Sequence, residues 1–79
     1  MQTIEFKINA DYVALCDLLK LVGLADSGGR GKSMVAEGLV IVDDYIEYRK
    51  TAKIRAGQVV QCENTVIHVL ANNADAVAA

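Results

Sequence analysis

The sequence predicts a small α+β domain in which two helices, both in the N-terminal half, pack on a small, mainly antiparallel sheet in the order β-α-α-β-β-β-β. Three patterns predict this fold: apolar residues alternate near the N-terminus, recur at helical spacing from residue 12, and form four short runs after Gly38. A length of 79 residues suits one domain. We expect residues 1–70 to form it, and residues 71–79, rich in alanine and asparagine, to be a flexible tail.

The first strand and the first helix are predicted from a change of period. Ile4, Phe6 and Ile8 alternate with polar residues, which is typical of a strand with one buried face. Apolar residues then recur three and four positions apart, which is typical of a helix that packs one face, and Gly23 is a natural end for it. The members of this face are Tyr12, Leu15, Cys16, Leu19 and Val22.

The second helix is predicted to begin after Ser27, a favourable N-terminal cap, and to run to about Glu37 with Gly38 closing it. Its first turns contain three glycines, each of which weakens a helix by up to about 1 kcal/mol relative to alanine. Such a cost indicates close approach of the backbone to the neighbouring helix or to an anion, and the residues alone favour neither. The glycines are Gly28, Gly29 and Gly31.

Four short strands are predicted for the second half of the chain. The first two flank a turn at residues 43–45, and the last two flank Glu63-Asn64. Taking Ile46 and Tyr48 as core residues places Glu47 on the solvent side of its strand. The four runs are Leu39–Val42, Ile46–Lys50, Gln58–Cys62 and Thr65–Leu70.

Composition argues against several classes of protein. Cys16 and Cys62 are far apart, and His68 is the single histidine, so we expect no disulfide scaffold, metal site or cofactor. The N-terminus lacks the pattern of a signal peptide, and no run reaches the roughly 18 apolar residues of a membrane helix. Reduced cysteines suit the cytoplasm, where we expect a monomer without enzymatic activity.

A phosphate-binding loop is suggested by Gly31, Lys32 and Ser33 but is not supported by their context. The motif GxxxxGK[ST] requires a glycine at position 26, where this chain has Asp26. A phosphate-binding loop also follows a strand, whereas this segment follows a predicted helix. Nucleotide hydrolysis is therefore not expected.

Cations are concentrated in the middle of a chain whose net charge is −2. Residues 45–57 contain four cations and one carboxylate, and Lys20, Arg30 and Lys32 lie in or beside the helices. Lys and Arg clustered on one edge neutralise phosphates and release counterions, which accounts for most non-specific RNA affinity. The alternative is a solvated strand edge whose charges deter aggregation, and composition alone favours it. Among the tyrosines, Tyr12 suits helix packing and Tyr48 the sheet core, which leaves Tyr45 as the candidate to stack on a base.

The order of residues resembles the S4-like RNA-binding family, also called the alpha-L motif, and in particular its small stand-alone bacterial YbcJ-like proteins. The resemblance covers about residues 13–62 and extends through a helix-helix-hairpin pattern. It is carried by Leu15-Cys16-Asp17-Leu18-Leu19-Lys20, Gly23, Ser27-Gly28-Gly29, Lys32, Glu37-Gly38, Val40, Val42, Glu47-Tyr48-Arg49, Lys53-Ile54 and Gly57.

This resemblance implies a helical pair and the following strands that together form an RNA-binding surface. Two departures stand out: Gly28 occupies a position where the wider family often has arginine, and Asp43-Asp44 replaces a common Asn-Gly turn. Two carboxylates beside RNA repel phosphate, so we expect a lower affinity or a footprint shifted toward Lys53.

Binding of structured RNA, of ribosomal or transfer RNA type, is the favoured function, and association with ribosomes or RNA processing is the expected setting. A protein-interaction adaptor that retains the fold without binding RNA is the alternative, motivated by the net acidity. The predicted RNA-binding residues are Lys20, Ser27, Gly28, Gly29, Arg30, Lys32, Arg49, Lys50, Lys53 and Arg55.

Overall fold

Two helices and seven strands make up the part of the chain that the structure, a computed structural model, describes: residues 1–72. They confirm the predicted α+β class. The elements are β1 (Gln2–Ile8), β2 (Val13–Ala14), α1 (Leu15–Leu21), α2 (Gly28–Ala36), β3 (Ile41–Val42), β4 (Tyr45–Ile46), β5 (Lys53–Ile54), β6 (Val59–Cys62) and β7 (Thr65–Ala71).

The main sheet has five strands in the order β1-β7-β6-β3-β4. Its antiparallel pairs are β3 with β4, β3 with β6, and β6 with β7. The first strand pairs in parallel with the last, from Gln2 opposite Thr65 to Ile8 opposite Ala71, so the sheet is mixed. A second, two-stranded sheet joins β2 to β5, with Val13 opposite Ile54 and Ala14 opposite Lys53.

The core lies between the helical pair and the main sheet. Close approach of the two helices requires a glycine, because a Cβ at position 31 would lie 2.6 Å from the carbonyl oxygen of Cys16. Gly31 therefore has the packing role that the sequence had left open. The fully buried side chains are Leu15, Leu18, Leu19, Met34, Val35, Val40, Ile54, Val60, Ile67 and Val69.

The first helix begins three residues later than its periodicity predicts. Val13 and Ala14 pair with β5 instead, which leaves Tyr12 outside the helix and 43% exposed, not packed as predicted. No side chain caps the start of α1. Its first N–H groups donate to main-chain carbonyls, Leu15 to Ala52 at 2.9 Å and Cys16 to Lys50 at 3.1 Å.

The hairpin of β3 and β4 differs from its prediction in the burial of Ile46 and Tyr48. Its turn contains two residues, Asp43 and Asp44, both with positive φ, and Tyr45 already belongs to β4. Tyr45 and Ile46 lie on opposite faces of β4, yet both are exposed, by 78% and 51%, and β4 is an edge strand of the main sheet. Tyr48, which follows β4, is 62% exposed, so the sequence was wrong to place Ile46 and Tyr48 in the core. Regular pairing ends at Ile46 and does not continue to residue 50.

The last described residues extend the sheet beyond the predicted boundary at residue 70. Ala71 is the final residue of β7, opposite Ile8. The main-chain N–H of Asn72 donates to the carbonyl of Ile8 at 2.9 Å, and its side-chain amide donates to Asn9. Residues 73–79 of the predicted tail lie outside the described residues.

Candidate nucleic-acid interface

A basic loop, which we define as residues 49–53, is fixed against the start of α1. The carbonyls of Lys50 and Ala52 accept the N–H groups of Cys16 and Leu15, and the side chain of Ala52 is buried. These contacts hold the backbone while the cationic side chains stay exposed. An open depression of about 540 Å³ is lined by Arg49, Thr51, Ala52 and Lys53.

The charge of Arg49 is matched by a carboxylate within its own segment. Its Nε donates to Oε2 of Glu47 at 3.1 Å and its Nη2 to Oε1 at 3.0 Å, a two-pronged ion pair. The main-chain N–H of Arg49 adds a third bond to Oε2 at 3.0 Å. These hydrogen bonds hold the pKa of Glu47 below its ordinary value and raise that of Arg49. Within residues 1–72, Lys50 and Lys53 form no such ion pair.

Two cations of the predicted site meet over an aromatic ring. The Nζ of Lys53 lies 5.0 Å from the centroid of the Tyr12 ring, and the guanidinium carbon of Arg55 lies 5.8 Å from it. Arg55 also donates through Nη1 to the carbonyl of Asp11 at 3.5 Å. Tyr12 thus lies among the predicted RNA-binding cations, a contact that the sequence interpretation missed. The signal was hidden because the pairing of β2 with β5 involves two residues on each side, too few to show a period.

The start of α2 is capped and sterically open. The hydroxyl of Ser27 accepts the N–H of Arg30 at 3.0 Å, which confirms Ser27 as the cap. A Cβ at Gly28 would meet nothing within 4 Å, and at Gly29 only the Ser27 hydroxyl at 3.9 Å. Unlike Gly31, these two glycines have no packing constraint. Their N–H groups belong to a helix N-terminus, which favours anions.

Cys16 connects the basic loop with the start of α2. Its N–H binds the Lys50 carbonyl, and its own carbonyl lies against Gly31. Two of the predicted cations, Arg30 and Lys20, lie outside the basic loop. Nη1 of Arg30 lies 3.9 Å from Oε2 of Glu37, and Lys20 lies in the last turn of α1. Lys32 is exposed in α2. Because Gly31, Lys32 and Ser33 lie within this helix, they do not form a phosphate-binding loop.

The carboxylate of Asp43 has a structural use. Its two oxygens accept the N–H of Val59 and the side-chain amide of Gln58, both at 2.9 Å. These bonds, Val59 first, lower the pKa of Asp43 from its ordinary value. Gln58 in turn accepts the N–H of Arg55 at 2.7 Å, so the network reaches the segment that follows the basic loop.

The fold belongs to a known protein family, the S4 domain family. A family model described as the S4 domain matches residues 6–70, and the chain belongs to that family. It is similar to YbcJ of Escherichia coli strain K12, which is named as a candidate RNA-binding protein, with 48% identity over 60 residues that cover 76% of this chain and 86% of the relative. The YbcJ protein of Shigella flexneri matches with the same identity and coverage.

A solved structure supports the same relationship. The solution structure of Escherichia coli YbcJ, described as revealing an alfaL motif involved in RNA binding, matches with a TM-score of 0.63 and 43% identity. The match covers 89% of this chain and 87% of the other. The predicted family and motif are thereby confirmed.

Residues 1–72 contain neither a membrane-spanning helix nor a cluster of metal-binding side chains. No helix in this range is long and apolar enough to cross a membrane. In the same range, no three His, Cys, Asp or Glu side chains come together as a metal site would require. Cys16 and Cys62 are buried free thiols, and burial raises the pKa of Cys62.

Proposed function

We propose that this protein binds structured RNA without catalysing a reaction, and that the basic loop and the start of α2 contact its phosphates. The observation that carries the proposal is the fixed position of the loop: carbonyl bonds to α1 hold its backbone, while Lys50 and Lys53 remain exposed. Cations placed in advance lose little freedom when they meet phosphate. The S4 domain family and the names of its YbcJ relatives support RNA as the partner.

The predicted residues are proposed to contribute unequally. Lys50, Lys53 and Arg55 can release counterions from RNA at once, because none of them has a carboxylate partner within residues 1–72. Arg49 must first exchange Glu47 for a phosphate. Gly28 and Gly29 would admit a phosphate to the helix N-terminus beside Ser27.

The finer description of the partner is also a proposal. The RNA is of ribosomal or transfer RNA type, bound by a monomer in the bacterial cytoplasm in association with ribosomes or RNA processing. Cations on a backbone that is held against α1 suit an RNA whose phosphates are themselves fixed by folding.

RNA binding is tested by titrating a folded RNA hairpin with the whole chain at several salt concentrations. We expect the logarithm of the binding constant to fall linearly with the logarithm of the salt concentration. A matched duplex DNA shows whether the 2′-hydroxyl matters. Absence of binding at low salt would reject the proposal.

A second candidate, an adaptor for another protein, has one observation in its favour. Strand β4 lies at an edge of the main sheet, and Tyr45 and Ile46 within it are 78% and 51% exposed. Exposed apolar residues on an edge strand invite pairing with another chain. This candidate predicts a folded protein that binds no RNA at low salt.

A further inference from the structure

A groove beside Tyr12 is not used by the phosphate contacts proposed above. It has a volume of about 300 Å³ and is lined by Phe6, Lys7 and Ile8 at the end of β1, by residues 9–10, and by Tyr12 and Val13. This volume is at the lower end of the range for ligand pockets, about 300–1,000 Å³, which suits one flat ring system better than a larger ligand.

Tyr12 joins this groove to the basic surface. Tyr12 lines the groove and is 43% exposed. The cationic groups of Lys53 and Arg55 lie over its ring, 5.0 Å and 5.8 Å from the ring centroid. An aromatic ring next to an apolar wall and two cations matches the chemistry of a nucleotide, which has a flat base and a charged phosphate. An acidic peptide would satisfy the cations but would leave the partly exposed ring of Tyr12 without a stacking partner.

We propose that an unpaired base of the bound RNA stacks on Tyr12 in this groove while its neighbouring phosphates lie against Lys53 and Arg55. This inference rests on the proposed RNA binding and narrows the class of RNA to one with a bulged or looped-out base. A base within a continuous duplex is stacked on its neighbours and cannot reach the ring. Tyr12 thereby selects among structured RNAs, and the cations supply affinity to all of them.

Tyr45, which the sequence favoured as the stacking residue, lies outside this groove and offers a matched comparison on the same molecule. It is 78% exposed, and it lies in β4, whereas Phe6 and Lys7 of the groove lie in β1 at the opposite edge of the sheet. Tyr45→Leu removes an exposed ring away from the groove, and Tyr12→Leu removes the ring within it. Tyr12→Phe retains the stacking face.

The experiment uses two RNA hairpins of the same stem, one with a single bulged 2-aminopurine and one fully paired. We expect the parent protein to bind the bulged hairpin more tightly and to quench its fluorescence. Tyr12→Leu should abolish the quenching and reduce the preference for the bulged hairpin by roughly five-fold or more, the lower end for loss of one base–aromatic stack. Tyr12→Phe and Tyr45→Leu should behave like the parent, and circular dichroism checks that every variant is folded.

Other outcomes separate the two proposals. Equal affinity of the parent for both hairpins, or quenching that persists in Tyr12→Leu, overturns the stacking inference and leaves RNA binding intact. A loss in Tyr12→Leu that is equal for both hairpins also overturns it, because Tyr12 would then merely position Lys53 and Arg55. If neither hairpin binds, both proposals fail.

Discussion

The basic loop and the start of α2 meet at Cys16, but they are held there in different ways. The loop is attached through its own carbonyls, so substitution of its exposed side chains leaves the attachment in place. The start of α2 is attached because Gly31 has no side chain, so one added carbon breaks the contact. The comparison teaches that charge can vary freely in the loop, whereas the approach of α2 depends on a single position.

The largest effect on stability is expected from Gly31→Ala. Its Cβ would lie 2.6 Å from the Cys16 carbonyl oxygen, so one helix has to move. Overpacking of this kind costs typically about 1–3 kcal/mol, which exceeds the gain of up to about 1 kcal/mol from better helix propensity. Denaturant unfolding measures the difference.

Gly29→Ala is the matched control in the same helix. The nearest atom to its Cβ would be the Ser27 hydroxyl at 3.9 Å, so the variant should be as stable as the parent or more stable by up to about 1 kcal/mol. Its RNA affinity should nevertheless fall if a phosphate approaches Gly29. Parent-like RNA binding in a folded Gly29→Ala protein would remove this glycine from the site.

The largest effect on RNA binding is expected from Lys50→Ala combined with Lys53→Ala. Each lost phosphate contact reduces the salt slope by about 0.7–0.9, so the pair should reduce it by about 1.4–1.8. Arg30→Ala combined with Lys32→Ala is the comparison for α2, where Arg30 already lies near Glu37 and the expected reduction is about half as large. A larger loss from the α2 pair would reverse the ranking of the two regions.

A smaller effect of opposite sign is expected from Glu47→Gln. The substitution frees the guanidinium of Arg49 from its two-pronged ion pair, so one further phosphate contact becomes available. The salt slope should steepen by at most about 0.7–0.9, with tighter binding at low salt. Glu37→Gln, next to Arg30, is the corresponding change in α2. Unchanged binding in Glu47→Gln would show that Arg49 does not face the RNA.

The same comparison shows what could be predicted from sequence. Ser27 as a cap, the helical face of Leu15, Cys16 and Leu19, and the clustering of cations are local features, and each was predicted. The loop attachment, the parallel pairing of β1 with β7 and the cations over Tyr12 depend on contacts between distant residues, which no local period reveals. At Tyr48 the prediction was wrong because regular pairing ends at Ile46, so the alternation of a strand does not extend to residue 48.

The smallest expected effect concerns the segment after the basic loop and is a dependence of stability on pH. The carboxylate of Asp43 accepts hydrogen bonds from Val59 and Gln58, and the side chain of Gln58 accepts one from the N–H of Arg55. The pKa of Asp43 is lowered from its ordinary value of 3.8, so its contribution to stability is complete above 3.8 and is lost as the pH falls through the lower value of the folded state.

Asp43→Asn should therefore destabilise the protein slightly at neutral pH. The single carbonyl oxygen of asparagine can accept from Val59, but its amide nitrogen, a donor, then faces the side-chain amide of Gln58, which also donates. The difference from the parent should shrink as the pH falls below 3.8, since the parent then loses the same charge. Denaturant unfolding of both proteins at neutral and acidic pH measures this. A difference that stays constant with pH would show that the charge of Asp43 contributes nothing to stability, and that its contribution comes from the geometry of its hydrogen bonds alone.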